Sequence, residues 1–404
     1  MDAKSIGQNI SALRKKCCLT QGELADKLGV SDKAVSRWES GRGFPDITVF
    51  PQLASIFGVS IDYLMLGERK GITIAGNIIA DIVKNIDVYP QLGMLANVSD
   101  ISYAVGGCAP NTSINLAKID SGLPISVIGK VGNDSQGRYI ISQLQKHNIN
   151  TSAISFCSDS ETSFCDVMSM PSGERTFFHK KGANEFFSPD DIDISTLNCN
   201  MLHIGYILLL DKFDMQDHQY GTVMARFLHD VQKVGIKTSV DVVSNSSADY
   251  ASKIIPALKY CNYAIMNEIE ACSIFDLSAY KTDGSINREN VRFAMRSMAQ
   301  KGVSDKIIIH SKKLSFILDV QSEEITEVPS LKIPSEMIKG SVGAGDAFCA
   351  GSLYGLYNGY SDRKILEFAS AAAACNLFEA NSVDGMRSKE EIEKMCKDFE
   401  RIEI

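Results

Sequence analysis

From residue 72 onward, short apolar runs (126–129, 201–204, 238–242, 263–266 and 306–309) alternate with stretches of helical periodicity (111–119, 139–147, 220–234 and 290–301). No other feature restricts the fold as much. A strand buried on both faces reads as a continuous apolar run, and a parallel neighbour is reached only through a crossover long enough to hold a helix. The alternation therefore predicts a mostly parallel sheet covered by helices on both faces. One segment breaks the rhythm. Residues 163–170 and 175–179 flank the turn Pro171-Ser172-Gly173-Glu174, which reads as a hairpin leaving the main sheet.

The first 66 residues follow a different pattern. Ile6, Ile10 and Leu13 recur at helical spacing, and Thr20-Gln21-Gly22-Glu23 is a capping box opening a helix through Leu24, Ala25 and Leu28. Gly29 ends that helix, Ser31 caps a third over 32–39, and helical pattern resumes after Pro45 through Val49, Leu53, Ile56 and Phe57. Five short helices fit residues 5–66. Polar, glycine-flanked Gly67-Glu68-Arg69-Lys70-Gly71 then precedes a first buried strand at Ile72. The division expected is an all-α domain over 1–67, a linker over 68–71 and an α/β domain over 72–404. A chain of 404 residues exceeds what one hydrophobic core usually organises.

Charge separates the two parts. Residues 1–70 hold 10 Lys/Arg against 8 Asp/Glu, and the remainder holds 31 against 41, so only the front end suits nucleic acid. The longest nearly apolar stretch, 201–210, is too short to span a bilayer and reads as a buried strand. With no apolar signal region in the opening residues, a cytoplasmic location without membrane contact is expected. The eleven cysteines contain no CxxC pair, and adjacent Cys17 and Cys18 lack further ligands at metal spacing, which fits reduced thiols.

Within the front domain, a helix, a turn at Gly29 and a second capped helix form the geometry that lays a recognition helix in the major groove of double-stranded DNA. Val35 and Trp38 fall on the core side of that helix. Lys33, Ser36 and Arg37 point outward as donors for base edges and phosphates, and Gln21 can anchor a phosphate at the start of the preceding helix. Thr20-Gln-Gly-Glu-Leu-Ala, Gly29-Val-Ser, Val35-Ser-Arg-Trp-Glu-Ser-Gly and Phe57-Gly-Val-Ser-Ile-Asp-Tyr-Leu resemble the Cro/C1-type, xenobiotic-response-element-like helix-turn-helix domains. That resemblance implies sequence-specific DNA binding; a helical module for protein contacts is the alternative. Binding to a palindrome requires a homodimer.

Near the other end, Gly340-Ser-Val-Gly-Ala-Gly-Asp-Ala-Phe-Cys-Ala-Gly351 feeds a helix. Amides of Gly343, Ala344 and Gly345 at a helix amino terminus offer a cradle for charge on a transferred phosphoryl group, and Asp346 offers a base for a substrate hydroxyl. Glycine clusters also serve tight helix packing, so this loop needs partners. They occur in order: Gly76-Asn-Ile-Ile-Ala-Asp81, Gly106-Gly107-Cys-Ala-Pro-Asn111, the series Gly129, Val131, Gly132, Asp134 and Gly137, then Gly182-Ala-Asn184 and Asn267-Glu-Ile-Glu270. Together they resemble the ribokinase-like (PfkB-type) carbohydrate kinases over 72 to about 395.

The resemblance implies a three-layer α/β/α ribokinase-like fold with a β lid at about 158–185, ATP and Mg²⁺ as cofactors, and lid-to-lid pairing of two copies. It implies that Asp81, Gly106, Gly107 and Asn111 bind the sugar, and that Asn267 and Glu270 order magnesium-bound water, with Asp241 assisting. Two departures stand out. Gly340-Ser341 replaces the family's Asp-Thr, which argues against a bound monovalent cation, and His310-Ser-Lys-Lys-Leu-Ser315 replaces its Thr-x-Gly-x-x-Gly. Two functions follow: an ATP-dependent sugar kinase fused to a DNA-binding domain, or a sugar-sensing transcription regulator on a catalytically weak or inactive kinase fold.

Overall fold

The computed structural model describes residues 2–404 except Ser60, Gly67, Glu68, Ser172, Gly173 and 245–248. The hairpin turn expected at 172–173, the linker residues 67–68 and Ser60 of the 57–64 motif lie outside the described residues. The chain divides into two compact units, Met1–Lys70 and Gly71–Ile404.

In the first unit α1 (Ala3–Lys16), α2 (Gln21–Leu28), α3 (Asp32–Glu39), α4 (Phe50–Phe57) and α5 (Ile61–Leu66) surround a core of Ile10, Leu24, Val35, Trp38, Leu53 and Leu64. The capping box forms: Thr20 accepts from the Glu23 amide, Glu23 caps in return, and Gly29 ends α2 in the left-handed region. Ser31 caps α3 through the Ala34 amide. Beneath the two helices, Arg14 holds Glu39 with two bonds of 2.6 and 2.9 Å, and Gln21 donates to the same carboxylate at 2.8 Å. Burial alone would raise the Glu39 carboxyl, but the bonds from Arg14 and Gln21 bring it below its ordinary value.

The second unit runs β1 (Ile72–Gly76), β2 (Ile79–Ile86), β3 (Val98–Gly106), α6 (Cys108–Ile119), β4 (Ile125–Gly132), α7 (Ser135–Lys146), β5 (Asn150–Cys157), β6 (Phe164–Ser169), β7 (Arg175–Lys180), β8 (Met201–Ile207), the short pair β9 (Gln216–Asp217) and β10 (Gly221–Thr222), α8 (Val223–Lys233), β11 (Lys237–Val242), α9 (Tyr250–Leu258), β12 (Tyr263–Asn267), α10 (Glu268–Ser273), α11 (Arg288–Lys301), β13 (Lys306–His310), β14 (Leu314–Asp319), β15 (Ile325–Pro329), α12 (Ala344–Tyr357), α13 (Asp362–Asn376) and α14 (Lys389–Asp398).

Nine strands form one sheet in the order β15-β14-β13-β12-β11-β8-β1-β4-β5. From β13 to β5 the pairing is parallel, and β14 and β15 extend it antiparallel. The strand pleat sends alternate residues to opposite faces. Ile265 and Ile308 join the core under α6, α12 and α13, whereas Ala264, Met266, Ile307 and Ile309 join the core under α8, α9 and α11. This is the expected three-layer arrangement.

The lid is larger than its sequence suggested. A separate four-stranded sheet, β3-β2-β6-β7, combines the hairpin β6/β7 with β2 and β3 from residues 79–106. Asp81 therefore stands on the lid sheet, not on the first core strand. The 79–106 stretch carries no strict alternation, since β2 is partly buried on both sides and β3 is mostly exposed until Val105. Asn184 closes the base of this sheet: its amide oxygen accepts from the Ile78 amide and its nitrogen donates to the Ile78 carbonyl, each at 3.1 Å.

Candidate active site

The carboxyl ends of β1, β8, β11, β12 and β13 deliver Gly76, Tyr206, Asp241, Asn267 and His310 to one edge of the sheet, where ligands of parallel α/β sheets bind. Opposite them lies the amino terminus of α12. Gly343 is its cap, with φ +78°, and any Cβ there would collide with Ser382, so only glycine fits both the backbone and the space. Asn376 donates to the Val342 carbonyl at 2.7 Å, fixing the approach of the loop. Of the three residues read as an amide cradle, Ala344 turns its N–H back to the Ser341 carbonyl at 3.3 Å, while Gly345 is exposed and faces His310.

Asp346, in the first turn of α12, is 5% exposed. Asn111 Nδ2 donates to its Oδ2 at 2.9 Å and the Tyr206 hydroxyl to its Oδ1 at 2.8 Å. Burial, reinforced by the charges of Asp241 and Asp81 against the two hydrogen bonds, pushes its carboxyl up to about 7. That value suits a group that takes a proton near neutrality.

The residues expected on the sugar side also converge. Gly107, with φ +89°, caps α6 and lets Asn111 reach Asp346. A side chain on Gly106 would run into the Asp81 carboxylate, so glycine there keeps Asp81 open toward the site. Burial raises Asp81 to about 6, moderated by the positive charge of Arg175 on β7.

Asn267 and Glu270, expected on the nucleotide side, take a specific form. Asn267 caps α10 by accepting from the Glu270 amide at 2.9 Å, and Glu270 returns a bond from the Asn267 amide at 2.9 Å and accepts from Ser244 at 2.8 Å. Glu270 is 5% exposed, and burial raises it to about 8. Both residues line a cavity of about 240 Å³ together with Asp241, His310, Gly343, Gly345 and Asp346. A buried carboxyl beside an amide, facing this cavity, fits a divalent cation retained largely through water.

Other motif residues are structural. Asp134 caps α7 through Gly137 and binds the Thr162 amide. In the segment that departs from the family, His310 is held neutral by burial, down to about 4, and packs 4.7 Å from the Phe348 ring. Lys312 and Lys313 are exposed, and Ser315 is buried on the Val328 carbonyl. A side chain at 340 would press on the Ala380 backbone at 3.3 Å.

On the front domain, Lys33, Ser36 and Arg37 are exposed on α3 and Val35 and Trp38 are buried, as their spacing predicts. Gln21 is bound to Glu39 instead of being free. Tyr206 joins the site without any signal in the sequence, and Arg175 is legible there only as a residue of the hairpin, with no role assigned. Tyr206 lies within a run that reads only as a buried strand, and Arg175 becomes informative once β7 is seen beside β2 and β6.

The model of the pfkB family carbohydrate kinases matches residues 72–389, and a helix-turn-helix model matches residues 10–64. The 5-dehydro-2-deoxygluconokinase of Geobacillus thermodenitrificans is 26% identical over 310 residues, covering 72% of this chain and 84% of that protein. The deoxyribokinase of Salmonella typhi is 22% identical over 277 residues, covering 69% and 82%. Ribokinase from Thermotoga maritima superposes with a TM-score of 0.65 at 19% identity, covering 81% of this chain and all (100%) of that one. Arabidopsis thaliana ribokinase, complexed with ribose and ATP, gives 0.65 at 20% identity, covering 81% and 99%. The structural likeness establishes the fold; with the family model spanning most of its length, the chain belongs to the pfkB family of carbohydrate kinases and carries a helix-turn-helix domain ahead of the kinase domain.

Proposed function

We propose that the chain is an ATP-dependent kinase for a hydroxylated sugar acid or related sugar, joined to a domain that binds double-stranded DNA sequence-specifically. The observation carrying this reading is the placement of Asp346. It sits buried at the start of α12, oriented by Asn111, between the sugar-side carboxylate Asp81 and the cavity lined by Asn267 and Glu270. The substrate hydroxyl gives its proton to Asp346 as its oxygen bonds to the terminal phosphorus of ATP and the bond from that phosphorus to the bridging oxygen breaks, releasing ADP. Gly345 and the helix dipole of α12 face the charge that accumulates on the transferred group. Mg²⁺, held through water by Asn267 and Glu270, would supply charge neutralisation on the phosphates. Gly340 brings no carboxylate where the family has Asp, which argues against a bound monovalent cation.

Arg175 favours an anionic substrate. It is the cation beside Asp81 in the sugar site, and several relatives are named for a sugar acid. Incubation with ATP, magnesium and a panel of pentoses, hexoses, nucleosides and sugar acids tests the proposal. Turnover that persists in Asp346→Ala would refute the mechanism.

A second reading, a sugar sensor with weak catalysis, draws on the capping of Asp346 by Tyr206 and on the side chains at 310–315. It expects ligand-dependent DNA affinity without phosphate transfer. In either case a homodimer paired through the lids would present two DNA-binding domains. Ile101, Tyr103 and Phe178, which the register sets on the face of the lid sheet opposite Asp81, are 51–59% exposed, an apolar surface suited to burial against a second copy. The DNA contacts proposed are Lys33, Ser36 and Arg37. Gln21 joins them through its remaining donor and acceptor capacity.

A further inference from the structure

Directly behind Asp346 lies a polar cluster that, apart from the assisting role expected of Asp241 beside Asn267 and Glu270, the phosphoryl-transfer reading does not use. His203 projects from β8, Asp241 from β11 and Cys349 from α12, one turn beyond Asp346, and all three are buried. Their ligand atoms lie within 4.8 Å of one another. We propose that these three side chains form a site for one borderline-soft divalent cation of the zinc type, with the Cys108 thiol beside it.

The spacing argues for it. His203 Nε2 is 3.6 Å from Asp241 Oδ2 and 3.6 Å from Cys349 Sγ. A nitrogen and an oxygen that far apart are beyond ordinary hydrogen bonding. Tetrahedral zinc, with bonds of about 2.0 Å to nitrogen or oxygen and 2.3 Å to sulfur, separates its ligand atoms by roughly 3.3–3.6 Å, which the two His203 separations match, while Asp241 and Cys349, within 4.8 Å, would draw together on binding. Ser239 Oγ is 3.0 Å from His203 Nδ1, the type of outer contact that fixes a ligating imidazole so that Nε2 faces the metal.

The local fold is built around these groups. A register shift in β11 between Val240 and Val242 places Asp241 beside Gly205, and its Oδ1 accepts from the Tyr206 amide at 3.1 Å. A side chain on Gly205 would strike both Asp241 Oδ1 and Cys108 Sγ, so glycine leaves room for a carboxylate and a second sulfur. Asp241 and Cys349 also line the active-site cavity, which gives an ion a route from solvent. Imidazole, carboxylate and thiolate together select zinc over magnesium, so this site is distinct in chemistry from the one at Asn267 and Glu270. Occupancy would pin α12 to β8 and β11 just past the catalytic aspartate. The inference stands on this geometry whether or not the chain turns over a sugar.

The test uses the full chain with Cys17→Ser and Cys18→Ser, which removes the two exposed adjacent thiols. After chelation and dialysis it is titrated with Co²⁺. The expected result is one Co²⁺ per chain, a sulfur-to-cobalt charge-transfer absorption with intense tetrahedral visible bands, and a higher unfolding temperature. Cys349→Ser should lose the charge-transfer band, and Ser239→Ala should weaken binding by about 10-fold or more. Absence of stoichiometric binding or of the sulfur band in the parent protein overturns the proposal without reference to any variant. Persistence of the full band in Cys349→Ser overturns it as well.

Discussion

The phenol of Tyr206 donates to Oδ1 of Asp346 at 2.8 Å while Asn111 holds Oδ2, so both oxygens of the proposed base are engaged before a substrate arrives. A hydrogen bond to a carboxylate favours its charged form. Removing it in Tyr206→Phe should raise the pKa of Asp346 and move the acid limb of the kcat/KM profile to higher pH. At pH 6 the variant should lose more activity than at pH 8, and an unmoved limb would mean that Tyr206 does not act on the base.

For Asp346 itself, activity should rise through about pH 7 as the carboxyl ionises, and Asp346→Asn should lower kcat by about 10²–10⁴. Stability should move the opposite way. A carboxyl raised on folding binds its proton more tightly in the folded state, so its unfavourable contribution begins near the ordinary value of 3.8 and is complete above about 7. Asp346→Asn should therefore be more stable than the parent at pH 8 by about 2–4 kcal/mol, and close to it at pH 4, as read by denaturant melts.

Arg175→Gln tests the class of substrate. If the guanidinium meets a carboxylate, KM for sugar acids should rise by about 10-fold or more while KM for neutral sugars changes little. Equal effects on both would assign Arg175 to the fold of the lid.

In the front domain, the buried pair and the exposed helix face should separate. Arg14→Met leaves Glu39 buried without its cation and should destabilise the domain by about 3 kcal/mol. Lys33→Ala and Arg37→Ala should leave melting unchanged, weaken DNA binding and lessen its salt dependence, the slope falling by about one for every phosphate no longer neutralised. Fluorescence anisotropy over a salt series reads both quantities.

Ile101→Asp places a charge on the exposed apolar face of the lid sheet. Light scattering should then show a monomer where the parent is a dimer, with a concomitant loss of affinity for paired half-sites over single ones. A monomeric parent would remove the basis for lid pairing.

Much of this organisation is legible in the residues. Thr20, Glu23, Gly29 and Ser31 mark helix ends by local chemistry, and each does so in the structure. Gly343 to Asp346 announce a loop entering a helix for the same reason. The lid strands at 79–106 are harder to read because a sheet exposed on one side and open to a ligand on the other loses the contrast that marks a strand. Tyr206 and the trio His203, Asp241 and Cys349 come together only when β8, β11 and α12 are packed. Their separations along the chain carry no motif. Gln21 shows the converse: its position predicts a phosphate contact, whereas its amide is engaged by Glu39.

Asp81 rides on the four-stranded sheet and Asp346 on α12, with the sheet's base held at Asn184 and Ile78. A sugar held by both aspartates would act as a fastener between two parts of the molecule, and part of its binding energy would appear as mechanical restraint. The position of the lid would then record whether sugar is available, even in a chain that moves phosphate slowly. Consumption and measurement of the same metabolite would thus share one fold, with rate set at Asp346 and signal set at the lid.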